Sequence, residues 1–292
     1  MYRLSRDIVE TLAYYDVLEF PLSAFEVWKH LITLTQDARP SSYFEVLTTL
    51  KGECSRGAIE EHAGFYFLPG RKFLVRERIR KEKISVSKLR RVKRLARLIR
   101  HVPYVRFVGA TGSLSLKHGD VESDWDLFVV LRAGKIWTGR KWRHGKWVRN
   151  RACLNYYVAD TNLEIGTQDL FSAHEYRFMI PLFHYALFQR FELRNRWIAR
   201  FKPNFSLSEI PTLWSISDPR ERHSPRSFLE RWCDRWDVEA ALATWQKDKI
   251  ARNPKTRWEG SYIEANDRAL IFLPRPRGPR VYEAFKHRLG SL

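Results

Sequence analysis

The first seventy residues carry apolar positions at helical spacing in three short stretches, followed by an apolar strand. The first predicted helix has Ser5 as its candidate N-cap and runs to about Asp16. The second has Ser23 as its candidate N-cap and runs from Ala24 to about Leu34. The third has Ser41 or Ser42 as its candidate N-cap and runs from Tyr43 to Lys51. The strand lies within Gly64–Gly70 and ends in a Pro-Gly turn. Residues 1–70 are therefore predicted to form three helices and a small hairpin.

Three helices followed by a small hairpin is the element order of a winged helix-turn-helix. Such a domain can bind DNA through its third helix, or it can serve as a protein-binding or purely structural unit. The third helix, Tyr43–Lys51, contains one Lys and no Arg, which is a poor composition for DNA recognition. Both interpretations of residues 1–70 stay open.

Residues 71–100 have the pattern of one long helix, which Pro103 terminates. An apolar stripe at helical spacing predicts that one face is buried against a neighbouring domain and that the cations face outward. The stripe consists of Leu89, Val92, Leu95, Ala96 and Ile99.

Residues 101–195 alternate between strand and helix signals, and residues 196–292 are mainly helical in pattern. The predicted strands are Tyr104–Val108, Asp124–Leu131, Ala152–Val158 and the short Leu163–Ile165. The predicted helices are Trp137–Trp147, Asp169–Phe191 divided at Pro181, Arg226–Asn253 and a last helix to about Leu289. The sequence thus predicts an α+β chain in four parts, with a basic connecting helix at 71–100, a mixed sheet with flanking helices at 101–195 and a mainly helical region at 196–292.

The charge of the chain modestly favours anionic partners. The formal net charge is +19, and residues 71–100 alone hold fourteen Lys or Arg against Glu77 and Glu82. Such a field attracts nucleic acid, nucleotides or anionic lipid. The basic helix is interpreted either as a solvated face or as a phosphate-contacting surface.

Several protein classes lose support from the composition. There is no apolar run long enough for a membrane span and no pattern of a signal peptide. Cys54, Cys153 and Cys233 are far apart, so neither a disulfide framework nor a structural zinc site is expected, and a reducing cytoplasm fits. Neither a GxxxxGK[ST] phosphate loop nor a GxGxxG fingerprint occurs.

The segment with the clearest chemistry is a Gly-Ser turn followed by two spaced aspartates. An apolar strand leads into Gly112 and Ser113, and Asp124 and Asp126 precede the apolar run Leu127–Val130. Residues two apart in a strand project from the same face, so the two carboxylates should point at one site. Paired carboxylates suit Mg²⁺, which shares its other positions with substrate phosphates. The glycine allows close approach of a phosphate, to which the Ser hydroxyl and backbone N–H groups can donate.

This segment resembles the signature of the DNA polymerase beta-type nucleotidyltransferase superfamily, a Gly-Ser turn followed by Asp-x-Asp on the next strand. The stretch from Ser123 to Leu127 looks most like the minimal prokaryotic members. Weaker matches to prokaryotic proteins that carry a winged helix ahead of such a domain lie at Phe20-Pro21-Leu22, Gly64-Phe65-Tyr66, Trp137 with Arg140, Cys153-Leu154-Asn155-Tyr156 and Ala173-His174-Glu175.

The resemblance implies specific roles for these residues. Asp124 and Asp126 would bind the metal, Mg²⁺ or Mn²⁺, and Gly112, Ser113 and Ser123 would contact the nucleotide. A third carboxylate is expected on a later strand, but the best-matched position holds Asn155, which offers only a neutral carbonyl oxygen. Either Glu164 or Asn155 would complete the site, with Asp160 as a less favoured substitute, and Asn155 is also predicted to contact the nucleotide.

Two further segments have open interpretations. Ala173-His174-Glu175 lacks the second His of a zinc protease motif, since Phe178 stands there; His174 and Glu175 are interpreted mainly as structural, with lining of the site as the alternative. Trp137, Trp142 and Trp147 alternate with cations, a pattern of base stacking or of an amphipathic lid or core-facing helix.

These features together predict a metal-dependent enzyme that transfers a nucleoside monophosphate from an NTP, such as ATP, to a hydroxyl acceptor. The alternative is a non-enzymatic protein that binds DNA or RNA through the 71–100 helix and the winged helix, with a degenerate transferase domain. A third possibility is a component that acts with a protein partner.

Overall fold

The computed structural model describes residues 2–35, 39–141, 152–204, 213–217, 225–236 and 238–292. The N-terminal part comprises α1 (Tyr2–Val17), β1 (Leu22–Ser23), α2 (Ala24–Lys29), α3 (Tyr43–Ser55), β2 (Glu60–His62) and β3 (Phe65–Phe67). Its three strands form an antiparallel sheet in the order β1-β3-β2. The predicted three helices and small hairpin are therefore present, with β1 as an additional strand.

Local capping chemistry sets the starts of two of these helices. Ser23 and Ser42 each form a capping box, with Glu26 and Glu45 respectively. The prediction that Ser5 caps the first helix is wrong, because α1 already begins at Tyr2 and the Ser5 hydroxyl donates to Glu53, 2.7 Å away. Helix α2 also ends earlier than its pattern suggests, at Lys29.

The long basic helix is α4 (Phe73–Ile99). Its predicted stripe is buried, with Leu89 and Val92 fully inaccessible and Ile99 packed at the edge of the same core. Not every cation faces outward, because Arg78 and Lys88 are also buried. Helix α4 therefore contacts the rest of the molecule through both apolar and charged side chains.

The central sheet has six strands in the order β7-β4-β5-β6-β9-β8. They are β4 (Val105–Ala110), β5 (Trp125–Leu131), β6 (Ala152–Ala159), β7 (Ile180–Phe183), β8 (Tyr262–Ala265) and β9 (Ala269–Leu273). Only β5 and β6 are parallel; the other neighbouring pairs are antiparallel. Apolar cores cover both faces of the sheet. The chain is thus of the α+β class with a mixed sheet.

The flanking helices are α5 (Gly112–Ser115), α6 (Ile136–Lys141), α7 (Leu170–Arg177), α8 (Tyr185–Arg194), α9 (Pro225–Cys233), α10 (Glu239–Ala251) and α11 (Arg277–Leu289). Short 3₁₀ helices lie at Arg196–Arg200 and Pro254–Arg257. Helix α6 packs against α10, where the backbone N–H of Trp137 donates to Glu239 at 2.8 Å. Trp137 itself is buried, as a core-facing residue would be, whereas Trp142 and Trp147 lie outside the described residues.

Three predictions in the second half of the chain are wrong. Leu163–Ile165 is irregular rather than a strand. Pro181 does not divide one helix; it lies in β7, an edge strand that pairs only with β4, where the missing N–H of proline is tolerated. Arg226–Asn253 forms two helices, α9 and α10, instead of one.

The C-terminal region contacts both the central sheet and the N-terminal part of the chain. The hairpin β8–β9, which the mainly helical pattern did not predict, extends the central sheet beside β6. Helix α11 then packs on α1, where the rings of Phe285 and Tyr14 lie 5.3 Å apart and Arg288 pairs with Asp16 at 2.9 Å. Across the described ranges, none of the helices has the length and apolarity that crossing a bilayer requires.

Candidate functional site

The Gly-Ser turn lies directly against Asp126. Strand β4 ends at Ala110, and Gly112 follows with φ of 64°, in the left-handed region that favours glycine. The backbone N–H of Thr111 donates to the Asp126 carbonyl at 2.9 Å. A Cβ added at Gly112 would overlap the Asp126 carboxylate. Only glycine therefore allows this turn to approach the aspartate so closely.

A second carboxylate joins Asp126 from helix α7. Glu175 accepts a hydrogen bond from the backbone N–H of Gly112. Burial, followed by the negative charge of Asp126, raises the pKa of Glu175 to about 7. Burial and the charge of Asp124 raise the pKa of Asp126 in turn. Asp126 is thus close enough to interact repulsively with both Asp124 and Glu175.

Repulsion between carboxylates is reduced by a bound divalent cation, so Asp124, Asp126 and Glu175 are the residues here that could hold Mg²⁺. Within the part of the chain that the structure describes, no three His, Cys, Asp or Glu side chains already converge as a metal cage. A bound Mg²⁺ would accordingly take some of its oxygens from water and substrate, as is usual for this ion. Cys153, the register partner of Asp126 on β6, donates a hydrogen bond to the aspartate.

Asp126 and Glu175 face a cavity of about 550 Å³. This volume lies within the range of small-molecule sites. The walls are mainly apolar and include the aromatic side chains Phe128, Tyr156, Phe171, Tyr176 and Tyr262. Thr111 and Gly112 line the cavity beside the carboxylates. The site thus joins a carboxylate pair, a glycine turn and an aromatic surface.

The C-terminal region supplies the remaining wall. The cavity is lined here by Gly260–Tyr262 and by Leu273–Pro279 except Pro274. The second of these segments contains Arg275 and Arg277. The positive charge of Arg277 acts on both Asp126 and Glu175 and lowers their pKa values against the larger effect of burial. The cavity therefore has an acidic side and a basic side.

The residues predicted from the motif do not all reach the cavity. Asp126 lines the cavity, as Gly112 does. Asp124 is exposed just before β5, does not line the cavity, and acts on Asp126 through its charge. Ser113 follows Gly112 and is partly buried outside the cavity lining. The side chain of Asn155 lies outside the described part.

The prediction that Glu164 supplies the third carboxylate finds no counterpart in this geometry. Glu164 is exposed, accepts a hydrogen bond from Gln168 at 3.0 Å, and does not line the cavity. The irregular backbone of Leu163–Ile165 turns Leu163 and Ile165 inward and leaves Glu164 in solvent. Glu175 occupies the place beside Asp126 instead.

Ser123, which was predicted to contact the nucleotide, lies in the loop that precedes Asp124 and is not among the residues that line the cavity. The buried ammonium of Lys88 on α4 donates to the Ser123 carbonyl at 2.6 Å, to its hydroxyl at 2.9 Å, and to the Asp120 carbonyl. Arg80, also on α4, pairs with the Asp120 carboxylate. Helix α4 thereby fixes the loop that carries Asp124.

Sequence reasoning gave a site role for Glu175 only as the alternative to a structural one, and it did not consider Arg275 and Arg277. His174, its neighbour, is structural as interpreted: it is buried, its ring contacts Tyr14, and its Nδ1 lies 3.2 Å from the Tyr15 hydroxyl. The available signal for Glu175 was that it is the one acidic residue of helix Leu170–Arg177.

Comparisons with protein-family models, with curated proteins and with solved structures find no match to this chain.

Proposed function

We propose that this protein is a metal-dependent nucleotidyltransferase, which moves a nucleoside monophosphate from an NTP to a hydroxyl acceptor. One observation supports this most strongly: the left-handed turn at Gly112 brings its backbone into contact with Asp126 and Glu175 at the edge of a 550 Å³ cavity. In the resembled superfamily the Gly-Ser turn contacts the nucleotide and the Asp-x-Asp carboxylates bind the metal. The three helices and small sheet of residues 1–70 would correspond to the winged helix that some prokaryotic proteins carry ahead of such a domain.

The reaction balances without any oxidant or reductant. The acceptor oxygen forms a bond to the α-phosphorus, the bond from that phosphorus to the bridging oxygen breaks, and pyrophosphate leaves with the electron pair. Mg²⁺ held by Asp124 and Asp126 would neutralise charge on the phosphate oxygens. Glu175, with its pKa of about 7, is suited to accept the hydroxyl proton.

The proposal assigns the third carboxylate to Glu175 on a helix rather than to a residue of a later strand. The Gly112 N–H holds Glu175 beside Asp126, so a strand carboxylate is not required at that place. The loop fixed by Lys88 keeps Asp124 near the start of β5. Both features are consistent with a site that is complete without Asn155 or Glu164.

The test is transfer of label from α-³²P-NTPs to nucleic acid, protein and small hydroxyl acceptors, with Mg²⁺ or Mn²⁺. We expect Asp126→Asn to lower the rate at least 100-fold, as loss of a metal-binding carboxylate does. Glu122→Gln, an exposed acid of the same loop, is the matched control and should retain activity. Equal rates for wild type and Asp126→Asn would disprove the transfer proposal.

A nucleic-acid acceptor or partner is favoured by one surface, the α4 cation row. Arg76, Lys83, Arg90 and Arg97 are exposed and spaced seven residues apart, so they follow one side of the helix at intervals of roughly 10 Å. Such a row can contact successive phosphates. If the protein is instead a non-enzymatic nucleic-acid-binding protein, it should bind a fluorescent RNA or DNA with a steep dependence on salt. This binding should survive Asp126→Asn and should weaken when all four cations of the row are replaced by Gln.

A further inference from the structure

We propose that Arg275 and Arg277 form the phosphate-binding side of the cavity and that its aromatic wall holds the base of a nucleoside triphosphate. The C-terminal region would then complete the nucleotide site of the central sheet. This inference rests on the proposed function, but it concerns binding and not transfer.

The two arginines are presented by a rigid segment. Strand β9 places Leu273 in the central sheet, and Pro274 and Pro276 restrict the backbone on either side of Arg275. Helix α11 begins at Arg277 and is fixed at its other end by the buried Phe285. Little conformational freedom is left for a ligand to restrict, which favours binding.

Both guanidinium groups have free donors. Arg275 stacks on Trp258, with its guanidinium carbon 4.3 Å from the ring centroid. No hydrogen bond or ion pair to the described residues engages either Arg275 or Arg277, and both are exposed at the cavity. Each guanidinium has five N–H donors in a planar fork that matches phosphate oxygens. Two such groups at one cavity suit a polyphosphate rather than a single carboxylate.

A simpler role, in which the arginines only balance the acidic side, does not explain both residues. Arg277 does act on Asp126 and Glu175, but Arg275 is not among the charges that shift the pKa of either one. A metal-bound polyphosphate would satisfy both sides together.

The aromatic wall indicates the rest of the ligand. Phe128 and Tyr176 are buried beneath the cavity, and Tyr156, Phe171 and Tyr262 are partly exposed around it. Aromatic rings stack on the flat face of any nucleobase. Inorganic polyphosphate or a sugar phosphate would leave this surface uncovered, so a nucleotide is the ligand class that uses the whole cavity.

The experiment is calorimetric titration of the full-length protein with Mg·ATP, Mg·GTP, Mg·CTP and Mg·UTP, and with Mg·tripolyphosphate. The variants are Arg275→Gln, Arg277→Gln and the double variant. Arg280→Gln is the matched control, because Arg280 is an exposed cation of the same helix that does not line the cavity. Thermal unfolding of each variant checks that the fold is intact.

We expect at least one nucleoside triphosphate to bind, each single variant to weaken it about tenfold, and the double variant about 100-fold. Arg280→Gln should bind as wild type does, and tripolyphosphate should bind more weakly than the nucleotide. Unchanged affinity in the double variant would overturn this inference and leave the transfer proposal standing. Arginine-dependent binding without transfer to any acceptor would support the inference and refute the transfer proposal. Failure of the wild type to bind any triphosphate would overturn both.

Discussion

The backbone N–H of Gly112 donates to the carboxylate of Glu175, 63 positions later in the chain. This hydrogen bond joins the turn after β4 to helix α7 and sets Glu175 beside Asp126. Because burial and Asp126 raise the pKa of Glu175 to about 7, the pair is under electrostatic strain near neutral pH. A bound cation would reduce the repulsion between these two carboxylates.

Gly112→Ala should damage the site more than a generic glycine substitution. The new Cβ would overlap the Asp126 carboxylate, and the left-handed backbone costs an L-residue about 1–2 kcal/mol in addition. We expect a loss of about 2–4 kcal/mol in the free energy of unfolding, measured by urea denaturation, and loss of nucleotide binding.

Gly57→Ala is the matched control for that experiment. Gly57 has a similar φ of 74°, but a Cβ there meets no atom within 4 Å. It should show only the backbone cost and should leave binding intact. Equal losses of stability for the two variants would contradict the close packing of Gly112 on Asp126.

Lys88→Met should loosen the loop that precedes Asp124. The Lys88 ammonium donates to both Ser123 oxygens and to the Asp120 carbonyl, and methionine has similar length but no donor. Unpaired buried acceptors cost about 1–3 kcal/mol, which unfolding by urea would measure. Mg²⁺ affinity should also fall. Lys83→Met, at an exposed position of the same helix, should change neither quantity.

The buried Lys202 should make stability depend on pH. Burial lowers its pKa from 10.5 to about 7, although it donates to the Tyr15 hydroxyl at 3.1 Å. Between those two pH values the unfolded chain binds more protons than the folded one, so this lysine makes stability rise from about pH 7 to about pH 10.5 and is least favourable below pH 7.

Lys202→Met removes that titration, and its unfolding temperature should depend less on pH over the same interval. Differential scanning calorimetry at several pH values measures the difference from wild type. The exposed Lys51→Met is the control and should follow the wild-type curve. If the unfolding temperatures of wild type and Lys202→Met change with pH in parallel, the lowered pKa of Lys202 is contradicted.

Local sequence signals predicted the elements better than the site. The capping boxes at Ser23 and Ser42 and the apolar stripe of α4 depend on residues close in sequence, so they could be found directly. Pro181 misled the prediction, because a proline inside an apolar segment fits an edge strand as well as a helix break. The sheet context that decides between them is not local.

The residues that line the cavity were the hardest to predict, because they come from distant parts of the sequence. Asp126 and Gly112 were predicted from one short motif, but Glu175 becomes a site residue only through the packing of α7 on the Gly112 turn. Arg275 and Arg277 reach the cavity only because β9 joins the central sheet beside β6. No spacing in the sequence reports these contacts, since they arise from tertiary pairing.

Calorimetric titration of Mg²⁺ with NTP into the variants Glu175→Gln and Glu164→Gln is the most direct test of the central claim. Both substitutions remove one carboxylate, but only Glu175 lines the cavity beside Asp126. We expect Glu175→Gln to weaken metal-dependent NTP binding at least tenfold, and Glu164→Gln to match wild type. If Glu164→Gln weakens binding and Glu175→Gln does not, the site assigned here is contradicted.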